Sequence, residues 1–156
     1  MPDLLVKLYA LPPAPANPAD VVIRRALAHE KTRVTEFVQE NFGSGWASEC
    51  EVSLCRTPTS CFIAVMQGEI RGFACYDAIA LGFFGPIGIG QGWRGFGIGA
   101  ALLHAALAAM RLHGYAYAIV GAATADGFYS RVAGAAEIAG STPGLYADPL
   151  RREGEA

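Results

Sequence analysis

The segment from Gly85 to Ala100 holds the residues whose types and spacing most clearly indicate chemistry. It reads GPIGIGQGWRGFGIGA and runs directly into a helix-forming stretch, residues 101–112. Glycine lets a backbone approach a ligand closely, and the first N–H groups of a helix are unpaired and carry the positive end of its dipole. Arg94 adds a cation at the mouth of the turn. The pattern therefore predicts a phosphate-binding site at the start of a helix.

Residues 94–99 read R-x-x-G-x-G ahead of an apolar helix, and here the chain resembles the GNAT superfamily of acyl-CoA-dependent N-acyltransferases. In that family the motif cradles the pyrophosphate of coenzyme A. The resemblance covers the order of elements from about Val21 to Tyr146. It implies cofactor contacts from the turn at Arg94, Gly95, Phe96, Gly97, Ile98, Gly99 and Ala100. It also implies that the preceding strand offers backbone groups to the pantetheine arm at Ile87, Gly88 and Ile89.

Glycine spacing alone leaves a second ligand class open. Residues 90–95 match the G-x-G-x-x-G pattern of dinucleotide-binding proteins, and residues 95–100 match its variant that ends in alanine. A dinucleotide fold places an acidic residue about 20 residues further on, but residues 111–124 contain neither Asp nor Glu. This favours coenzyme A, with a dinucleotide as the alternative. A mononucleotide P-loop is excluded because Gly-Lys-Ser/Thr does not occur in the chain.

The resemblance also implies a role for Tyr129. GNAT enzymes commonly place the tyrosine of a Phe-Tyr pair at this position, where it protonates the departing coenzyme A thiolate. A phenol with a pKa of about 10 stays protonated at neutral pH and can donate to a thiolate. The family often has an asparagine seven residues earlier, where this chain has Ala122. One cofactor contact of the family is therefore missing.

The resemblance assigns no general base. Many GNAT enzymes use a glutamate on the fourth strand, but residues 81–89 contain no ionisable side chain. Asp77 on the preceding predicted strand, or Glu49 or Glu51 near the expected acceptor side, could act through a water molecule. The aromatic residues that we expect to line the acceptor pocket are Trp46, Phe83 and Phe84.

The elements that must position these residues follow from apolar periodicity and from turn residues. Residues 1–20 form an N-terminal strand and a proline-rich connector, which we expect to add a strand at the edge of the sheet, and residues 21–156 form the main domain. The sequence predicts that the main domain has helices at 29–42, 46–56, 101–112 and 125–133, and strands at 21–24, 61–66, 70–80, 83–89, 115–120, 137–138 and 145–146. Residues 115–120 are apolar without alternation, as in a parallel strand covered on both faces. We therefore expect an α/β fold of three layers, with a mixed, mostly antiparallel sheet and a parallel pair at the cofactor site.

The composition of the chain indicates which classes of partner and which cellular compartment to expect. The 156 residues are 53% apolar and suit one domain with its own core. A net charge of −2 with scattered cations argues against nucleic acid. An acid near the start and Pro12-Pro13 argue against a signal peptide, and the apolar run at 98–110 is too short for a bilayer. We expect a cytoplasmic protein without a membrane partner.

The four cysteines lack C-x-x-C spacing and nearby paired histidines. We therefore expect no metal site, and we expect the thiols to be buried and reduced. These cysteines are Cys50, Cys55, Cys61 and Cys75.

The expected reaction is acetyl transfer from acetyl-CoA to a primary amine by direct attack on the thioester. The acceptor is a small-molecule amine or a peptide amine, and the sequence is compatible with a homodimer. A non-catalytic acyl-CoA-binding module is the alternative, suggested by the missing base and by Ala122.

Overall fold

A seven-stranded sheet organises the computed structural model, which describes residues 1–124 and 126–151. The strands are β1 Leu4–Lys7, β2 Val22–Arg25, β3 Cys61–Met66, β4 Glu69–Tyr76, β5 Phe83–Ile89, β6 Tyr117–Val120 and β7 Ala136–Glu137. The helices are α1 Lys31–Phe42, α2 Ser44–Leu54, α3 Ile98–Leu112 and α4 Phe128–Ala133. Among the described residues, no helix has the length and hydropathy needed to cross a membrane.

The sheet order is β2-β3-β4-β5-β6-β1-β7, and β5 with β6 is the one parallel pair in the described chain. Successive side chains of β3 and β4 point to opposite faces of the sheet, so each strand contributes to two separate hydrophobic cores. Ile63 and Phe73 belong to the core under α1 and α2, while Ala64 and Ala74 belong to the core under α3. The expected three-layer fold with a mixed, mostly antiparallel sheet is thereby confirmed.

Strand β1 is interior, so the expectation of an added edge strand was wrong. Leu4 pairs with Val120 of β6 on one side and with Glu137 of β7 on the other. Val6 is fully buried, and such a side chain is stabilised at a covered position in a sheet. The Asp3 carboxylate also accepts the backbone N–H of Ala122 at 2.9 Å. The N-terminal strand is therefore a structural part of the sheet.

A second correction concerns the predicted strand at 145–146. Gly144–Tyr146 is a single 3-10 turn, closed by the backbone N–H of Tyr146, which donates to Pro143 O at 3.1 Å. Short apolar stretches beside Pro and Gly carry little information on secondary structure, because turn geometry decides their conformation. The turn places the Tyr146 ring beside the end of β6, where the Tyr146 hydroxyl lies close to Gly121.

A bulge bends β5 in its middle. Tyr76 pairs with Phe84 and Ala74 pairs with Ile87, so Gly85 and Pro86 together lie opposite one residue of β4. An extra residue in one strand bends it and increases its twist. Gly85 has φ +121°, a conformation that favours glycine. Strand β5 consequently turns away from β6 beyond Phe84.

Candidate active site

A cleft of about 1000 Å³ opens where β5 and β6 diverge. In the described chain, β6 pairs with β5 only at Phe83 and Phe84, before the bulge. Beyond it, residues 86–89 form one wall and residues 120–124 form the other. Ligands of open α/β sheets commonly bind at the ends of parallel strands, where such a gap forms.

The β5 wall of the cleft directs backbone groups away from β4 and into the gap. Gly90 N–H donates to Arg71 O at 2.8 Å. In the register between β4 and β5, Gly88 is the next residue of β5 whose backbone groups point toward β4. Because alternate residues of an antiparallel strand direct their backbone groups to opposite edges, Ile87 and Ile89 direct theirs into the gap. An extended ligand can bond to this edge as an additional strand would.

The glycine-rich turn lies at one end of this edge. Gly92, Gly95 and Gly97 have φ of +88°, +84° and +84°, so the chain bends in a conformation that few other residues adopt. Gly97 is followed at once by α3, whose first N–H groups lack helical partners. The exposed Arg94 donates from Nε to Ile89 O at 3.3 Å. The helix dipole and the guanidinium group make this turn chemically suited to an anion.

Arg71 and Trp93 support the turn from behind. The guanidinium carbon of Arg71 lies 4.3 Å from the centre of the Trp93 ring, within the range of a cation–π contact. Trp93 N–H donates to Gly90 O at 3.0 Å. The turn is therefore fixed to β4 by a side-chain contact and closed by a backbone hydrogen bond.

Tyr129 enters the cleft from the first turn of α4. Its ring lies 6.2 Å from that of Phe84 and 5.2 Å from that of Phe128, measured between ring centres. Burial, with a smaller contribution from the Asp126 charge, raises the pKa of Tyr129 to about 12. The hydroxyl is therefore a proton donor across the neutral and moderately alkaline range.

Helix α2 and the Tyr146 turn line another part of the cleft. Glu49 lies there with Trp46, which stacks on Phe42 at a ring distance of 5.3 Å. Burial raises the pKa of the Glu49 carboxyl. Burial, together with the charges of Glu49 and Asp3, also raises the pKa of Tyr146. This part combines one carboxylate with aromatic surfaces, which suits an amine.

The absence of a side chain at Gly88 leaves room for Phe42 to pack against this wall of the cleft. The Phe42 ring lies where a Cβ at Gly88 would be, with Cε2 at 2.7 Å from that point. Any larger side chain would displace Phe42 and, through their stacking, Trp46. Gly88 thus has a packing role as well as a place in the cleft wall.

Most of the sequence-predicted site residues meet in this cleft. They are Trp46, Phe84, Ile87, Gly88, Ile89, Arg94, Gly95, Gly97, Gly99, Ala100 and Tyr129. Phe83 is not among the lining residues, and its ring lies against Gly121. Phe96 is 64% exposed beside the turn, and Ile98 is buried in the core.

The structure does not bring Asp77 to the cleft. Its carboxylate accepts hydrogen bonds from Gly82 N–H at 2.8 Å and from the Tyr115 hydroxyl at 3.0 Å, and it borders a separate cavity of about 390 Å³. These bonds fix the turn between β4 and β5, a common structural use of an Asp side chain. Glu51, another candidate base, is paired with Lys31 at 2.7 Å and is exposed. Among the three candidate bases, Glu49 lines the cleft.

Phe42 and Tyr146 also line the cleft, and sequence reasoning missed both. Phe42 ends an amphipathic helix, so its periodicity indicates core packing alone. Tyr146 reaches the cleft through its turn, and no local pattern identifies it.

The strand gap and the glycine-rich helix start together fit an extended ligand that carries a phosphate group. Residues 29–135, more than half of the chain, match the acetyltransferase (GNAT) family. The chain belongs to this family.

Solved structures share the fold. A GCN5-related N-acetyltransferase from Sphaerobacter thermophilus has a TM-score of 0.71 at 25% identity, over 88% of this chain and 48% of its own. One from Kribbella flavida has a TM-score of 0.64 at 23% identity, over 87% and 53% of the two chains. This chain thus spans about half the length of these proteins. A search of curated proteins gave no significant match.

Proposed function

We propose that this protein is an N-acetyltransferase that moves an acetyl group from acetyl-CoA to a primary amine by direct attack. The observation that carries the proposal is the open edge of β5 leading into the glycine-rich start of α3. Arg94 and the first N–H groups of α3 bind the pyrophosphate. The backbone of Ile87 and Ile89 holds the pantetheine arm.

Two groups of the chain move protons in the proposed reaction. The Glu49 carboxylate takes a proton from the acceptor ammonium through a water molecule, which frees the nitrogen lone pair for attack on the thioester carbonyl carbon. The carbon–sulfur bond then breaks, and the Tyr129 hydroxyl donates its proton to the departing sulfur. The acylated nitrogen loses its second proton through water to the Tyr129 phenolate, and the Glu49 carboxyl returns its proton to solvent. A backbone N–H near Ile89 stabilises the negative charge on the carbonyl oxygen.

A ligand panel tests the proposal before an acceptor is known. Acetyl-CoA and coenzyme A should raise the midpoint of thermal unfolding, since a ligand that binds only the native state stabilises it. NAD and ATP at the same concentration should not. Amines are then screened for release of free thiol above the rate of acetyl-CoA hydrolysis. Binding without any amine-dependent release would favour a non-catalytic acyl-CoA-binding module, and stabilisation by NAD alone would contradict the cofactor assignment.

Replacing Glu49 with glutamine should lower kcat/KM for the amine by roughly 10² or more while acetyl-CoA affinity stays unchanged. A carboxylate accepts a proton only when it is ionised, so wild-type activity should rise with pH through the raised pKa of Glu49. Glu49→Gln should lose this dependence. Steady-state kinetics across pH measures both effects.

Glu51→Gln is the matched control for this experiment. It makes the same change two residues further along α2, at a side chain outside the cleft lining. Equal loss of activity in both variants would attribute the effect to helix stability and contradict a role for Glu49 as base.

The mechanism uses no cysteine, so alkylation of the native protein should leave acetyl transfer largely intact. Cys55 is exposed, and the other cysteines are buried. Iodoacetamide should therefore modify Cys55 first, as mass spectrometry of the intact chain would show. Loss of activity in proportion to modification of Cys55 would require a different mechanism.

A further inference from the structure

Three cysteine side chains meet in the core under α1 and α2. They come from three different elements, Cys50 from α2, Cys61 from β3 and Cys75 from β4. All three are fully buried, and their sulfur atoms lie within 4.8 Å of one another. We propose that this cluster is a binding site for copper(I), held by sulfur alone.

The sheet register brings two of these sulfurs together. Cys61 and Cys75 lie directly opposite each other on β3 and β4. The neighbouring pair is hydrogen-bonded, since Tyr76 N–H donates to Ser60 O at 3.0 Å, so the cysteines occupy the alternate position, where side chains approach most closely. Helix α2 then places the Cys50 sulfur 4.0 Å from that of Cys61. The arrangement is a product of the fold, and the separations along the chain give no sign of it.

A buried hydroxyl supports negative charge on the sulfurs. Ser53 lies one turn after Cys50 and is fully buried, and its hydroxyl lies 3.2 Å from the Cys75 sulfur as a donor. The same oxygen lies 2.7 Å from Cys50 O, an alternative acceptor for its proton. The hydroxyl can therefore donate to a thiolate at Cys75 without contact with solvent.

The donor set fits copper(I) better than zinc. A trigonal site with metal–sulfur bonds of about 2.3 Å has sulfur atoms about 4 Å apart, and the Cys50 and Cys61 sulfurs are 4.0 Å apart with all three within 4.8 Å. Copper(I) prefers soft thiolate ligands, whereas zinc sites are almost always four-coordinate. In the described residues, the group contains no His, Asp or Glu that could be a fourth ligand.

Protons and charge balance when the ion binds. The S–H bonds of Cys50 and Cys75 break, their two protons pass to solvent, and two copper–thiolate bonds form. Cys61 binds through its neutral sulfur and keeps its proton, for which Phe62 O is an acceptor at 3.8 Å from the sulfur. The centre then carries a single negative charge, which limits the cost of burying it. Because the cluster has no exposed surface, copper enters during folding or local opening.

Copper would join α2 to the centre of the sheet. The same helix carries Trp46 and Glu49 into the cleft, so the metal would fix that wall. This inference does not depend on the proposed acetyl transfer, and its tests measure metal and stability alone.

The test uses the full chain purified from cells grown with added copper. Elemental analysis should find about one copper per chain, and anaerobic titration with copper(I) should produce the near-ultraviolet absorption of copper–thiolate bonds. Competition with a chelator of known copper(I) affinity gives the dissociation constant. Bound copper should also raise the midpoint of thermal unfolding.

Single alanine variants of Cys50, Cys61 and Cys75 should each weaken copper(I) binding by about 100-fold or more, as expected for loss of one of three ligands. Cys55→Ala is the matched control and should bind as the wild type does, because Cys55 lies outside the cluster. Circular dichroism verifies that each variant folds. The proposal is wrong if folded alanine variants bind like wild type, if Cys55→Ala alone abolishes binding, or if zinc binds as tightly as copper(I).

Discussion

Gly97→Asp should abolish acetyl-CoA binding. Gly97 begins the first turn of α3 at φ +84° and lines the cleft, so a carboxylate there would lie beside the bound phosphates. Repulsion and the loss of about two charge-assisted hydrogen bonds of ~1.5 kcal/mol each correspond to roughly 100-fold or more in affinity. Isothermal titration of acetyl-CoA measures the loss. Arg94→Ala, which removes one such contact, should weaken binding by roughly 10-fold.

Two variants separate charge from backbone strain. Asp tolerates a left-handed conformation better than most residues and also caps helices, so Gly97→Asp should fold. Gly97→Asn has nearly the same shape without the charge and should retain more affinity. Gly68→Asp makes the same change at φ +74° in the β3–β4 turn, outside the cleft lining, and should bind normally. Undiminished binding in folded Gly97→Asp would remove the basis of the proposed function.

Tyr129→Phe should lower kcat by roughly 10² or more with little change in acetyl-CoA affinity. The substitution keeps the ring contacts with Phe84 and Phe128 and removes only the proton donor. With an acceptor in hand, single-turnover kinetics measures the chemical step apart from product release. Tyr117→Phe, at an exposed tyrosine outside the cleft lining, serves as the control.

The pH dependence gives this experiment a second readout. A donor with a pKa of about 12 is protonated well above neutral pH, so Tyr129 itself should cause no loss of wild-type activity up to about pH 10. An alkaline decline that starts near pH 8 and persists in Tyr129→Phe would belong to another group. A Tyr129→Phe rate equal to wild type, with chemistry rate-limiting, would leave the tyrosine a packing role only.

Local sequence was sufficient for the elements whose signals lie within one segment. The β3–β4 hairpin follows from two apolar runs on either side of a tight turn. The two turn residues, Gln67 and Gly68, have positive φ. Helix α3 follows from an alanine- and leucine-rich stretch behind glycines. The glycine-rich turn before α3 was predictable for the same reason, because glycine content and a following helix are both local properties.

Properties that depend on distant pairing were not predictable. The bulge at Gly85 and Pro86 shows only in the register against β4, yet it creates the cleft. The choice among candidate bases likewise depended on tertiary position, since the sequence treats Glu49 and Glu51 as equivalent residues two positions apart on one helix. Asp77 illustrates the opposite error: an acid on the expected strand proved to be a turn residue once its hydrogen-bond partners were known.

The interior position of β1 has a consequence for synthesis on the ribosome. Residues of β1 are translated well before their partners in β6 and β7, as the pairing of Leu4 with Val120 and Glu137 shows. Until then the nascent chain can form the hairpin and α3, while β1 has no edge to join. Contacts so distant along the chain slow folding, and an unpaired strand edge invites association with other chains. Strand β1 therefore takes its place in the sheet only after β6 and β7 have been made.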